Sequence, residues 1–209
     1  MTEHATETDK RLAEALRQQL ERDPFNHEAL THLGALMFEP FHKPNESIAL
    51  LQRAIGIDTR SVNARFWLAK CLFHYKGAAE AARVVLSEAL SIDPLRPDCL
   101  TLMAAVLQDL DRGPANYVEL LRNAVRQAPE WPSARHQLAQ ALLELGELDE
   151  ARATLREAPA LNTLVHPFAD SLVEYTEEAT TGRGRPGAKR DLQRLLGEIE
   201  RRLERERRP

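Results

Sequence analysis

Residues 131–158 read WPSARHQLAQALLELGELDEARATLREA. Leu138, Ala139 and Leu142 put one apolar, small-residue face on a first helical segment, and Ala151, Leu155 and Ala158 do so on a second, at the i, i+4, i+7 spacing of a 3.6-residue period. Gly146 closes the first segment and Asp149 falls near the start of the second. A helical pair of this size cannot bury both faces alone, so its fold depends on whether the pattern recurs along the chain.

It recurs three more times. Asp23, Asp58, Asp93 and Ala128 stand 35 residues apart, and Pro24, Pro94 and Pro129 follow three of them, with Thr59 the exception. The same step carries Leu33 to Leu68, Met103 and Leu138. It also carries Gly34 to Ala69, Ala104 and Ala139, and Met37 to Leu72, Leu107 and Leu142. In the second helices the triple at 0, +4 and +7 reads Ser47, Leu51, Ala54, then Ala82, Leu86, Ala89, then Tyr117, Leu121, Ala124, and finally Ala151, Leu155, Ala158. The last pair is one residue shorter because Ala139 to Ala151 is 12 residues where Gly34 to Ser47 is 13, which places the extra residue in the turn between paired helices.

Over Phe25–Ala158 these residues resemble the tetratricopeptide repeat (TPR) family, whose signature has Leu-Gly on one helix, Ala and a large apolar residue on the next, and a closing Pro. The signature Trp is replaced by Leu30, Arg65, Leu100 and Arg135. The resemblance implies an all-α, right-handed TPR-like solenoid of about four helix pairs with capping helices at both ends. It also implies a concave groove lined by the first helices. Carried over by register, the groove positions are Asn63, Phe66, Lys70, Phe73 and His74 in repeat two, then Asp98, Thr101, Ala105, Gln108 and Asp109 in repeat three. In repeat four they are Ser133, His136, Gln140, Leu143 and Glu144. Phe66 and Phe73, an i, i+7 pair, read as apolar anchors, and Lys70 and His74 as polar selectors. The bland alternatives are that the rings are core or that the C-terminal helix fills the groove.

The organisation read from the chain is an N-terminal tail and capping helix over 1–22 and a repeat array over 23–160, with repeats near 25–58, 60–93, 95–128 and 130–160. An additional stacking helix follows over 161–179, with Leu172 in line with Leu138, then a Gly-rich basic linker over 180–189 and a charged amphipathic helix over 190–209. Leu12, Leu16 and Leu20 face one side of a first helix from Asp9 to Arg22, with Thr8 or Asp9 as N-cap. Pro40 and Pro44 stiffen the turn of repeat one, which Phe38 and Phe41 flank; packing beneath the turn is the leading reading of the two rings and a partner-facing aromatic edge the alternative. Leu192, Leu195, Leu196, Ile199 and Leu203 make a narrow stripe on the last helix. Under three heptads is marginal for a coiled coil, so a cap is the leading reading and pairing with a second chain the alternative.

A net charge of −4, with 43% hydrophobic and 29% charged residues, fits an ordinary water-soluble helical protein. It provides no global attraction to nucleic acid or an anionic membrane. No apolar run reaches signal-peptide or membrane-span length, so a cytoplasmic location is expected. Cys71 and Cys99 read as buried thiols. His27, His32, His42, His74, His136 and His166 form no i, i+4 pair, so neither metal nor cofactor is expected. No nucleophile elbow, phosphate loop or dinucleotide fingerprint occurs, which points away from an enzyme. The expected partner is another protein, presenting a peptide or helix to the groove. The alternative is a self-associating scaffold held through the terminal helices.

Overall fold

The computed structural model describes residues 5–129, 131–156 and 188–206. Among them every regular element is helical. The chain divides into two compact units, Met1–Pro94 and Leu95–Pro209. Such a division is natural in a repeat chain, because each repeat packs on its sequence neighbours rather than around one shared core.

The first unit holds α1 (Glu7–Arg22), α2 (His27–Phe38), α3 (Pro44–Ile57), α4 (Val62–Lys76) and α5 (Ala79–Ile92). Helix α1 begins earlier than the apolar pattern alone suggests, and Thr6 is its N-cap. The Thr6 Oγ1 accepts from the Asp9 N–H at 3.2 Å while the Thr6 N–H donates to Asp9 Oδ2 at 2.8 Å, a capping box that satisfies two terminal donors at once. Leu12, Ala13 and Leu16 of α1 are buried against Ala29, Leu33 and Met37 of α2, with Phe41 packed beside them. Leu30, Leu51, Ala54, Ala64 and Leu68 make the next apolar layer, where α2, α3 and α4 meet.

The connections repeat as the helices do. Asp23 Oδ1 accepts from the Phe25 N–H at 3.1 Å and Asp58 Oδ1 from the Arg60 N–H at 2.9 Å, which is why Asp recurs where one pair passes to the next. Asn26 and Ser61, again 35 residues apart, cap α2 and α4 through the Ala29 and Ala64 N–H groups. Inside each pair one residue takes a positive φ: His42 at 53°, Gly77 at 58°, Asp111 at 53° and Gly146 at 80°. Glycine adopts that conformation without steric cost, so two of the four turns are relaxed and two carry a side chain there.

The second unit holds α6 (Pro97–Asp109), a 3₁₀ turn over Pro114–Asn116, α7 (Val118–Gln127), α8 (Pro132–Leu145), α9 (Leu148–Arg156) and α10 (Ala188–Glu206). Its core joins Leu121, Leu138, Leu142, Leu148 and Leu155 to Ile199 and Leu203. Helix α10 packs on α9 and, to a lesser degree, on α8, as α8 does on α7 and α6. It therefore stands where the first helix of a fifth pair would stand. The stacking helix expected over 161–179 and most of the linker expected over 180–189 lie outside the described residues.

At two of the signature Trp positions an arginine is buried instead. Arg65 donates to Glu88 Oε2 and to the Ser61 carbonyl, both at 3.2 Å, and so ties α4 to α5. Arg135 donates to the Thr154 carbonyl at 2.9 Å and to the Pro129 carbonyl, tying α8 to α9. A guanidinium is flat like an indole and covers apolar neighbours with its stem, but its donors must be satisfied, and carbonyls and a carboxylate do so here.

Candidate functional site

The side of a first helix that is not consumed by packing on its own partner is available for recognition, and in the first unit that side belongs to α2 and α4. The 35-residue step aligns Asn63, Phe66, Lys70, Phe73 and His74 on α4 with Glu28, Thr31, Ala35 and Phe38 on α2 and with Glu39 just beyond it. Of these, Phe38, Glu39, Phe73 and His74 lie at the C-terminal ends of the two helices, and Lys70 reaches Glu39 there. Lys70 Nζ lies 3.0 Å from Glu39 Oε1 and 4.7 Å from the Trp67 ring centroid, with the Phe66 centroid at 6.0 Å. The ammonium is thus held by a carboxylate and the face of an indole together. Phe73 and His74 are in ring contact, centroids 4.9 Å apart. Partial desolvation lowers the His74 pKa, and the Lys70 charge lowers it further against an opposing pull from Glu39.

Two expectations change. Phe66 does not stand open as an anchor: it is 8% exposed, with the Trp67 ring edge-on at 5.4 Å and the Lys70 ammonium 6.0 Å from its ring centroid. Nor is Lys70 a free selector, since Glu39 already neutralises it. Phe73 remains half-buried and His74 exposed. Asn63 is half-buried. Glu39 and Trp67 are the members that sequence reasoning passed over. Glu39 stands 35 residues before His74, so the register itself contained the signal.

In the second unit the equivalent residues lie on α6 and α8. Thr101 is buried and its Oγ1 donates to the Pro97 carbonyl at 2.7 Å, an internal helix bond that Thr31 repeats with the His27 carbonyl at 2.8 Å. Asp98 is also buried, its carboxylate held by Arg96 at 3.0 Å and by the Cys99 N–H at 2.7 Å. Gln108 and Asp109 are exposed, and His136 and Gln140 are half-buried. Burial raises the Tyr117 pKa first, and the negative charge of Glu144 raises it further. The candidates therefore fall into two groups: aromatic with a paired lysine in the first unit, polar and acidic in the second.

Among the described residues no group of three or more His, Cys, Asp and Glu side chains is placed to hold a metal ion, and no helix is long and apolar enough to cross a membrane. Cys71 and Cys99 are both buried.

Comparison with known proteins agrees with this architecture. None of the curated proteins matches the chain. Among solved structures it is similar to Pseudomonas aeruginosa pilF, at 22% identity and TM-score 0.62, covering 92% of this chain and 81% of that one. It is similar to YrrB, described as a TPR protein with an unusual peptide-binding site, at 20% identity and TM-score 0.61, covering 88% and 92%. It is also similar to MamA, at 23% identity and TM-score 0.58, covering 69% and 83%. At these identities the likeness is one of fold. The Tetratricopeptide repeat family itself matches over residues 42–113 and 118–164, more than half of the chain, and the chain belongs to that family.

Proposed function

We propose that this protein is a non-catalytic interaction module that docks a peptide or helix of another protein against its first helices. The observation that carries this reading is the cluster at the ends of α2 and α4. Half-buried Phe73, exposed His74 and the Lys70–Glu39 pair on Trp67 share one face there. Packed rings and paired charges held by neighbouring helices are preorganised, so little ordering entropy opposes docking. Within the second unit by itself, Gln108, Asp109, His136 and Gln140 offer polar and acidic groups suited to polar or basic groups of a partner. A cytoplasmic adaptor or chaperone-like role fits this reading.

The test is capture from the native cell extract by wild type and by a Phe73→Ala, His74→Ala double variant, each with a melting curve. A partner retained by wild type and lost by an equally stable variant supports the reading. The same set of proteins retained by both sinks it. Self-association through the terminal helices is the less favoured reading, because Leu12 and Leu16 of α1 and Ile199 and Leu203 of α10 are already buried within the chain.

A further inference from the structure

We propose that the partner group received at the ends of α2 and α4 is a cation, an arginine or lysine of a basic peptide, docked on the Glu39 carboxylate beside the Phe73 and His74 rings. The inference rests on the docking reading above and assigns the chemistry of its ligand.

The Lys70–Glu39 pair is not symmetrical. The Lys70 side chain is 25% exposed and the Glu39 side chain 51%. The ammonium is engaged by Glu39 Oε1 at 3.0 Å and by the Trp67 ring at 4.7 Å. Among the described residues Lys70 is the one ion-pair partner of Glu39, whereas a carboxylate has lone pairs for about four hydrogen bonds. A group approaching from solvent therefore meets carboxylate before ammonium.

The surroundings favour positive charge in the same place. Glu39 is the C-cap of α2 and His74 lies in the last turn of α4, so two helix C-termini stand here, each equivalent to about half a negative charge. The last turn of α2 holds no basic residue. Partial burial and the Lys70 charge keep the His74 pKa below its ordinary value despite Glu39, so the imidazole is neutral at pH 7 and does not offset that field. Arg17 of α1 and Lys43 in the turn after α2 are both engaged by Glu46, each at 3.5 Å. An anionic ligand would have to displace Glu39 to reach Lys70. A guanidinium or ammonium meets Glu39 directly and can lie against the half-buried Phe73 ring, whose centroid is 4.9 Å from that of His74.

The experiment uses the full chain and short random peptides displayed with free C-termini, so that basic side chains, acidic side chains and the terminal carboxylate all compete. Peptides retained by wild type and lost by the Phe73→Ala, His74→Ala chain are then labelled and titrated by anisotropy. The expected peptides carry Arg or Lys near an apolar residue. Glu39→Gln weakens them about tenfold, the loss of one hydrogen bond to a charged group. Lys70→Met keeps a side chain of similar length, releases the carboxylate and tightens them several-fold. The reverse pattern overturns the proposal: peptides bound through Asp, Glu or the terminal carboxylate, tightened by Glu39→Gln and lost with Lys70→Met, assign the ligand to the ammonium and leave the docking reading in place. Basic peptides that neither variant affects overturn it as well, because their cation docks elsewhere. If no peptide tells wild type from the ring variant, the docking reading falls and the proposal falls with it.

Discussion

Lys70 and Glu39 close an ion pair at 3.0 Å between the ends of α4 and α2, and the exposed imidazole of His74 titrates in the field of both. Lys70 disfavours the imidazolium and Glu39 favours it, so the two charges pull the same titration in opposite directions. Lys70→Met should raise the His74 pKa and Glu39→Gln should lower it further, as followed by NMR of the ring protons. Shifts of the same sign in both variants would show that the ring does not sense this pair.

His32 joins His74 in making the fold sensitive to acid. Burial lowers the His32 pKa, with Glu28 opposing, and both imidazoles are thus harder to protonate in the folded chain than in the unfolded one. Their contribution is present above the unfolded value, about 6.5, and is lost as pH falls through it toward the folded values, because the unfolded state then binds more protons. The melting temperature should drop between about pH 7.5 and pH 5. In His32→Gln that drop should be shallower, and an unchanged slope would remove His32 from the account.

Phe66→Ala should behave as a core deletion. With the ring 8% exposed and covered by Trp67 and Lys70, its loss should cost about 3 to 5 kcal/mol of stability in urea titration. A loss below about 1 kcal/mol would return the ring to the list of open anchors.

Gly34 stands where repeats two to four have Ala69, Ala104 and Ala139. A Cβ on Gly34 would meet Leu51 Cγ at 2.7 Å and Cδ2 at 2.9 Å, and Leu51 is fully buried. Replacing a helical Gly by Ala gains about 1 kcal/mol of propensity, whereas overpacking costs about 1 to 3. The clash involves a branch-point carbon close to the α3 backbone, so the cost should win. Gly34→Ala is expected to melt lower than wild type although it restores the residue the other repeats use.

Ser47 presents the opposite case. Its Oγ is fully buried and, among the described residues, makes no hydrogen bond, while Ala82 and Ala151 hold the same register position. Ser47→Ala removes an unsatisfied hydroxyl and should stabilise by about 1 kcal/mol. A destabilised variant would mean that the hydroxyl has a partner after all.

Much of this architecture was legible because it is local and periodic. A 35-residue step in Asp, Leu, small and Ala positions, with helical spacing inside each repeat, determines which face of each helix is apolar, where the pairs turn and which family the chain belongs to. The same step places Phe66, Lys70, Phe73 and His74 on one helix, because angular position about a helix axis follows from residue number alone. Tertiary packing decided what each of them does. Phe66 became interior and Lys70 became paired through contacts with Trp67 and with Glu39, and the Glu39 contact crosses from one helix end to another. The apolar stripe of α10 could be read in the sequence, but its seat could not, since a stripe specifies that a helix must be covered and not by what. Burial and charge pairing are relations between residues distant in sequence, and a repeat period carries information only about what recurs.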